Sequence, residues 1–102
     1  MSGEILVRRY EAEKKMGLKD KAEATRGEAI VAFMGRIMSI DPGREELRPV
    51  LERAYHLMIP LMLDHKKYKD AEEFCNTYLQ LYPDGRYKTD VNNWLNQAKI
   101  GQ

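Results

Sequence analysis

The side chains best suited to chemistry are few: His56, His65, Asp64 and Cys75, with Ser2 and Ser39 the only serines. Two imidazoles beside a carboxylate could hold a metal ion or move a proton, and a thiol could act as a nucleophile once ionised. The spacing works against a shared site. Nine residues separate His56 from His65, and at about 100° per residue that is roughly 900°, so on one helix the two rings leave opposite faces. Pro60 lies between them and predicts a kink near 56–60 that alters this geometry. A small metal-binding or enzymatic domain around His56, His65 and Asp64 therefore stands as the alternative reading. Cys75 has no histidine near it in sequence and has Glu72 and Glu73 as neighbours, an acidic setting that disfavours the thiolate. A packed core thiol is the expectation. With two serines there is little material for a serine triad, and Gly27 and Gly35 lie inside a helical pattern rather than in a phosphate loop. No catalytic residue, metal ligand or cofactor is expected.

Composition narrows the class further. The 102 residues are 43% apolar and 32% charged, which fits one globular domain and is too apolar for disorder. Seventeen basic and 16 acidic side chains leave a net charge of +1, so no global field exists to hold nucleic acid or an anionic membrane. The charge runs EAEKK (11–15) and HKK (65–67) read as solvated faces. One cysteine cannot form an internal disulfide. The longest apolar run, LMIPLML (57–63), is seven residues, against the roughly 20 needed to span a bilayer. MSGEILVRR lacks the pattern of a signal peptide.

These side chains must be positioned by helices, because strand signals are nearly absent. Five helical segments are predicted. The first covers about 4–16, with Ile5, Leu6, Arg9 and Ala12 on its apolar face and Gly17 as its stop. The second covers about 21–40, with an Asp20/Glu23 capping box and a buried stripe of Ile30, Phe33, Met34, Ile37 and Met38. The third covers about 45–65, with apolar residues all round near Pro60 and hence burial on more than one side. The fourth covers about 68–81 and buries Ala71, Phe74, Cys75, Tyr78, Leu79 and Tyr82. The fifth covers about 87–100, with Tyr87, Val91, Trp94, Leu95 and Ala98 on one stripe. Gly27 and Gly35 read as points of close approach between helices. Short connections make neighbouring helices antiparallel.

The chain also repeats itself. DPGR at 41–44 and PDGR at 83–86 are offset by 42 residues, and Ala29/Ala71, Ile37/Leu79 and Ile40/Tyr82 share that offset. YKDAEEFCNTYLQLYP resembles the second helix of a tetratricopeptide repeat. That family has an aromatic (Tyr68), an alanine three residues on (Ala71) and a proline twelve after the alanine (Pro83). Ala54-Tyr55 resembles the alanine–tyrosine pair of the family's first helix, with about seven extra residues before Ala71, two turns that rotate the face by only about 20°. A tighter resemblance is to bacterial envelope repeat proteins of the outer-membrane assembly lipoprotein and Tol-Pal coordinator type, where a Tyr-Pro turn precedes a Trp-Leu pair. Tyr82-Pro83 and Trp94-Leu95 have that spacing. Cys75 and Asn96 depart from the pattern, standing where a large aromatic and a glycine are usual.

The resulting expectation is a single all-α domain over 1–102, built of antiparallel helical hairpins stacked as a short tetratricopeptide-like superhelix. Residues 1–19 form an N-terminal helix and linker, 20–66 an atypical first pair, and 67–102 the more regular second one. The resemblance implies a protein–protein interaction scaffold that binds a protein or peptide in the groove lined by the first helix of each pair, with a bacterial periplasmic or envelope setting. Tyr55 and His56, with the polar face Asn92, Asn93 and Asn96 of the last helix, are the expected partner-binding residues. Trp94 is expected to be buried. A short array with apolar end faces also points to self-association, so a homo-oligomer is the third reading.

Overall fold

A computed structural model describes residues 2–102. It is all-α and, among the described residues, contains no strand. Helix α1 covers Gly3–Lys15, α2 Lys19–Ser39, α3 Arg48–Asp64, α4 Tyr68–Leu81 and α5 Lys88–Gly101, with a short 3-10 turn at Glu45–Leu47 leading into α3.

The helix boundaries follow from local chemistry. Ser2 caps α1 by accepting from the Ile5 N–H, and Lys14 and Lys15 sit in the last turn, where the helix dipole favours cations. Gly17 ends α1 in the left-handed conformation, φ +74°. Its N–H bonds the Lys14 carbonyl and the next N–H, of Leu18, bonds Glu13, the paired bonds of a Schellman motif. The same motif closes α3, where Lys66 (φ 57°) takes the left-handed place and Lys67 reaches back to Met62. Because the Gly17 turn is so tight, α2 begins at Lys19 with Leu18 as its N-cap, which makes no side-chain capping bond. The expected capping box therefore does not form, since Asp20 already lies in the first turn. Helix α3 continues through Pro60 to Asp64.

Each helix runs antiparallel to the next. Gly3 packs on Phe33 while Glu13 accepts from Thr25. Glu52 meets Tyr78, and Tyr68 packs on Gly101. Alternate helices are consequently parallel. Glu4 and Lys14 of α1 pair with Arg53 and Asp64 of α3. Glu52 and His56 of α3 meet the Arg86 N–H and Asp90 at the head of α5. Helix α3 is the spine: Leu51, Ala54, Tyr55, Met58, Ile59, Leu61 and Met62 are all buried. Burial on several of its sides is what its continuous apolar surface predicts.

Helices α2 and α4 occupy equivalent places. Ala29 and Ala71, the shared alanines at the 42-residue offset, are both fully buried. Helix α2 has 21 residues and α4 has 14. The extra seven residues of α2 lie at its N-terminal end, since the 42-residue offset sets Ser39 against Leu81 and Arg26 against Tyr68. Seven residues nearly restore helical phase, so that extension keeps the inward face: Ala22, seven residues before Ala29, is buried with it.

Two inward faces differ from expectation. Helix α1 buries Leu6, Tyr10 and Glu13 rather than Ile5, Arg9 and Ala12. Polar Glu13 belongs to the buried face because it accepts from Thr25 and lies 3.7 Å from Arg9, satisfaction that hydrophobic periodicity does not register. In α2 the inward residues are Ala22, Thr25, Arg26, Ala29 and Phe33, while Met38 is 80% exposed. Trp94 and Leu95 are half-buried; Val91 and Ala98 hold the centre of the α5 contact.

The corner at 83–86 is fastened from inside. The Glu52 carboxylate accepts from Tyr78 Oη, from the Arg86 N–H at 2.9 Å and from Arg48 Nε at 2.9 Å. Tyr78 Oη in turn accepts from the Tyr87 N–H at 3.0 Å. Gly85 is required here by space: a Cβ would collide with the Tyr78 hydroxyl and the Glu52 carboxylate. Burial raises the Glu52 pKa, but the Tyr78, Arg48 and Arg86 hydrogen bonds outweigh it and hold the carboxyl below its ordinary value.

Candidate interaction surface

The residues with catalytic potential do not converge. His56 stacks on Tyr87, ring centroids 3.8 Å apart, lies near Trp94, and bonds Asp90 at 3.0 Å through Nε2. His65 lies at the far end of α3, where its Nδ1 is 2.6 Å from Arg26 Nη2. Because a guanidinium only donates, Nδ1 accepts and the neutral ring carries its proton on Nε2. Asp64 turns its carboxylate to Tyr10 Oη, 2.9 Å, and Lys14, 3.4 Å. Among the described residues no group of three or more His, Cys, Asp or Glu could hold a metal ion. The α3 histidines thus serve opposite neighbours, α5 and α2, as their 900° separation implies.

Cys75 is fully buried beneath α3. Burial pushes its thiol up to about 12, and the Glu72 carboxylate pushes the same way, so the thiolate is scarce at neutral pH. A recess of about 700 Å³ opens between the ends of α1 and α3 and the start of α2, lined by Tyr10, Lys14, Lys19, Glu23, Arg26, Asp64 and others. Two of its cations have structural tasks. Arg26 donates to the Asp64 carbonyl and to His65 at the C-terminus of α3, and Lys14 pairs with Asp64, placements that satisfy helix ends.

The expected partner-binding residues separate into two groups. Tyr55 must be corrected: it is 3% exposed and its ring packs against Phe74 and Tyr78, so no partner reaches it. The alanine–tyrosine pair faces α4 as core. His56 is half-buried in the α3–α5 contact and works as an internal clamp. Asn92, Asn93 and Asn96 are exposed on α5, as their polar periodicity indicates.

The most distinctive surface lies elsewhere, on the outward side of α2. By helical rotation Asp20, Ala24, Gly27, Glu28, Val31, Met34, Gly35 and Met38 fall within about 60° of Val31. Val31 is 70% and Met38 80% exposed. Gly27 and Gly35 have nothing within 4 Å of where a Cβ would stand, so no helix of this chain approaches them. A shallow groove of about 400 Å³, walled by Leu6, Gly27, Glu28, Val31 and Ala32, runs beside this face. The equivalent positions within α4, 42 residues on from Gly27, Glu28, Val31, Met34, Gly35 and Met38, are Lys69, Asp70, Glu73, Asn76, Thr77 and Gln80, all exposed and all polar. A sequence signal for this difference existed: aligning the two helices at the 42-residue offset sets Val31 against Glu73, Gly35 against Thr77 and Met38 against Gln80. Hydrophobic periodicity alone hid it by assigning Met38 to the core stripe.

Compared with protein-family models, curated proteins and solved structures, the chain matches none of them.

Proposed function

We propose that this chain is a protein-interaction scaffold of the tetratricopeptide type, belonging to a bacterial envelope assembly, and that it docks its partner on the outward face of α2. It acts by shape and apolar complementarity, and no bond is made or broken. The reading is supported most by the contrast between two equivalent helices: α4 turns Glu73 and Gln80 to solvent where α2 turns Val31 and Met38. Contiguous exposed apolar residues mark interaction sites. Burying each of these two side chains contributes about 1.5–3 kcal/mol, and the glycines beside them let a partner's backbone come close. The exposed asparagines of α5 lie on another helix.

Grafting the α4 residues onto α2 tests this. The double variant Val31→Glu, Met38→Gln places on α2 the residues that α4 carries at 73 and 80. Both positions are exposed, so helicity and thermal stability should persist. Complexes that the unmodified chain forms in its own cell, isolated intact and weighed by native mass spectrometry, should be lost. Retention of the same complexes by the variant would remove the α2 face from the account.

A further inference from the structure

The recess between the ends of α1 and α3 and the start of α2 collects positive charge. Lys14, Lys19, Arg26 and Lys66 line it against Glu23 and Asp64. His65 adds no charge, because its Nδ1 accepts from Arg26 and the ring is neutral. The lining thus holds a surplus of two positive charges, in a chain whose whole net charge is +1. We infer that this recess binds a small molecule bearing a phosphate monoester, at a site separate from the docking face around Val31. A phosphate ester carries about −1.5 to −2 charges at neutral pH, which matches the surplus. A volume of about 700 Å³ is that of a small-molecule site rather than of a bare ion.

Arg26 is the buried member of the set, 9% exposed. Its guanidinium has five N–H groups. One goes to the Asp64 carbonyl and one to His65 Nδ1. The rest meet no acceptor among the described residues and remain for a ligand's oxygens, in the planar fork that suits phosphate. The Asp64 carboxylate is already occupied by Tyr10 and Lys14, which quenches its repulsion of an anion. Lys19 and Lys66 make no ion pair among the described residues, so their charges are free for a ligand. Lys66 also holds a left-handed position, φ 57°, of the kind that Gly17 fills at the end of α1; the chain carries a lysine there in place of the favoured glycine. The second hairpin gives an internal comparison. The 42-residue offset sets Arg26 against Tyr68, whose ring packs on Gly101. Where the second hairpin closes on a neighbouring helix with an aromatic ring, the first keeps a buried guanidinium beside an open recess. Glu23 alone works against the ligand, since it too makes no ion pair.

Backbone amide NMR spectra, recorded at neutral pH and low salt during titration with phenyl phosphate and, separately, with inorganic phosphate, test the site. The Gly17, Lys19 and Lys66 amides should shift saturably, more tightly with phenyl phosphate than with inorganic phosphate, while the Val31 amide and the Trp94 indole stay fixed. Lys19→Gln and Lys66→Asn each remove an exposed, unpaired charge, and asparagine tolerates the left-handed backbone at 66. Both variants should keep the helical fold and weaken phenyl phosphate binding about threefold each. Glu23→Gln should tighten it by a similar factor, and added sodium chloride should weaken it throughout. No saturable shift at these amides with either probe, or affinities that ignore all three substitutions, would overturn the site. Equal affinity for the two probes would reduce it to an ion position and overturn the ester. Adsorption to phosphatidic acid vesicles without any response to phenyl phosphate would replace the small molecule with a membrane surface. None of these outcomes touches the docking reading, which the Val31→Glu, Met38→Gln graft tests by itself.

Discussion

Glu52 shows how much depends on one side chain. Glu52 is 7% exposed, and its carboxylate ties α3 to α4 and to the corner before α5. Tyr78 is pushed the opposite way: burial first, then its bond to Glu52, raises the phenol well above its ordinary value, so the pair is held as carboxylate and neutral phenol. The Glu52 pKa is lower folded than unfolded, so folding favours the charged form. Its contribution is therefore whole above the ordinary value of 4.5 and drains away as pH falls through the lowered folded value. Urea unfolding at about pH 7 and about pH 3 should show the unmodified protein losing more stability than Glu52→Gln over that interval. At neutral pH the variant should be weaker by about 1–3 kcal/mol, the cost of impairing buried hydrogen bonds. Equal acid losses in both proteins would mean that Glu52 is not the titrating anchor of the corner.

Glycines act at the scale of the element, and here they divide into two kinds. Gly85→Ala drives a methyl group into the Glu52–Tyr78 contact and should cost about 1–3 kcal/mol. Gly27→Ala places a methyl in open space on a helix, and should stabilise the isolated chain by up to about 1 kcal/mol. Chemical denaturation at low protein concentration measures both; the same sign for the two would contradict the placement of one of them. Helix α4 was fully legible in the sequence, to its terminal residues Tyr68 and Leu81, because its inward face is aromatic or small, its outward face is polar, and proline follows. Helix α1 was legible as a helix but not in phase, since Glu13 buries through bonding to Thr25 and not through hydrophobicity. In α2 the expected stripe was legible except at its end: Phe33 is buried and Ile30, Met34 and Ile37 pack partly buried against the core, while Met38 faces solvent. The helix carries apolar residues on two sides, and periodicity cannot tell a core stripe from a docking stripe when a helix has both. Of the expected contact residues, the asparagines of α5 lie where their polarity puts them. Tyr55 does not, because its spacing from Tyr78 and Phe74 emerges only when α3 meets α4.

At the scale of the whole molecule, parallel α1, α3 and α5 alternate with α2 and α4, and α3 is covered by neighbours on several sides. Stability belongs to α3 and to the Glu52 corner, while α2 can offer an apolar face without belonging to the core on that side. This division is why a change at Val31 should alter association and leave folding alone. The most direct measurement is site-specific photo-crosslinking in the producing cell, with a photoreactive amino acid at 31 in one variant and at 73 in another. These positions are equivalent in the two hairpins and both are exposed. Position 31 should give a discrete protein adduct and position 73 none. Adducts from both in equal yield, or none from position 31, would mean that the partner does not dock on α2.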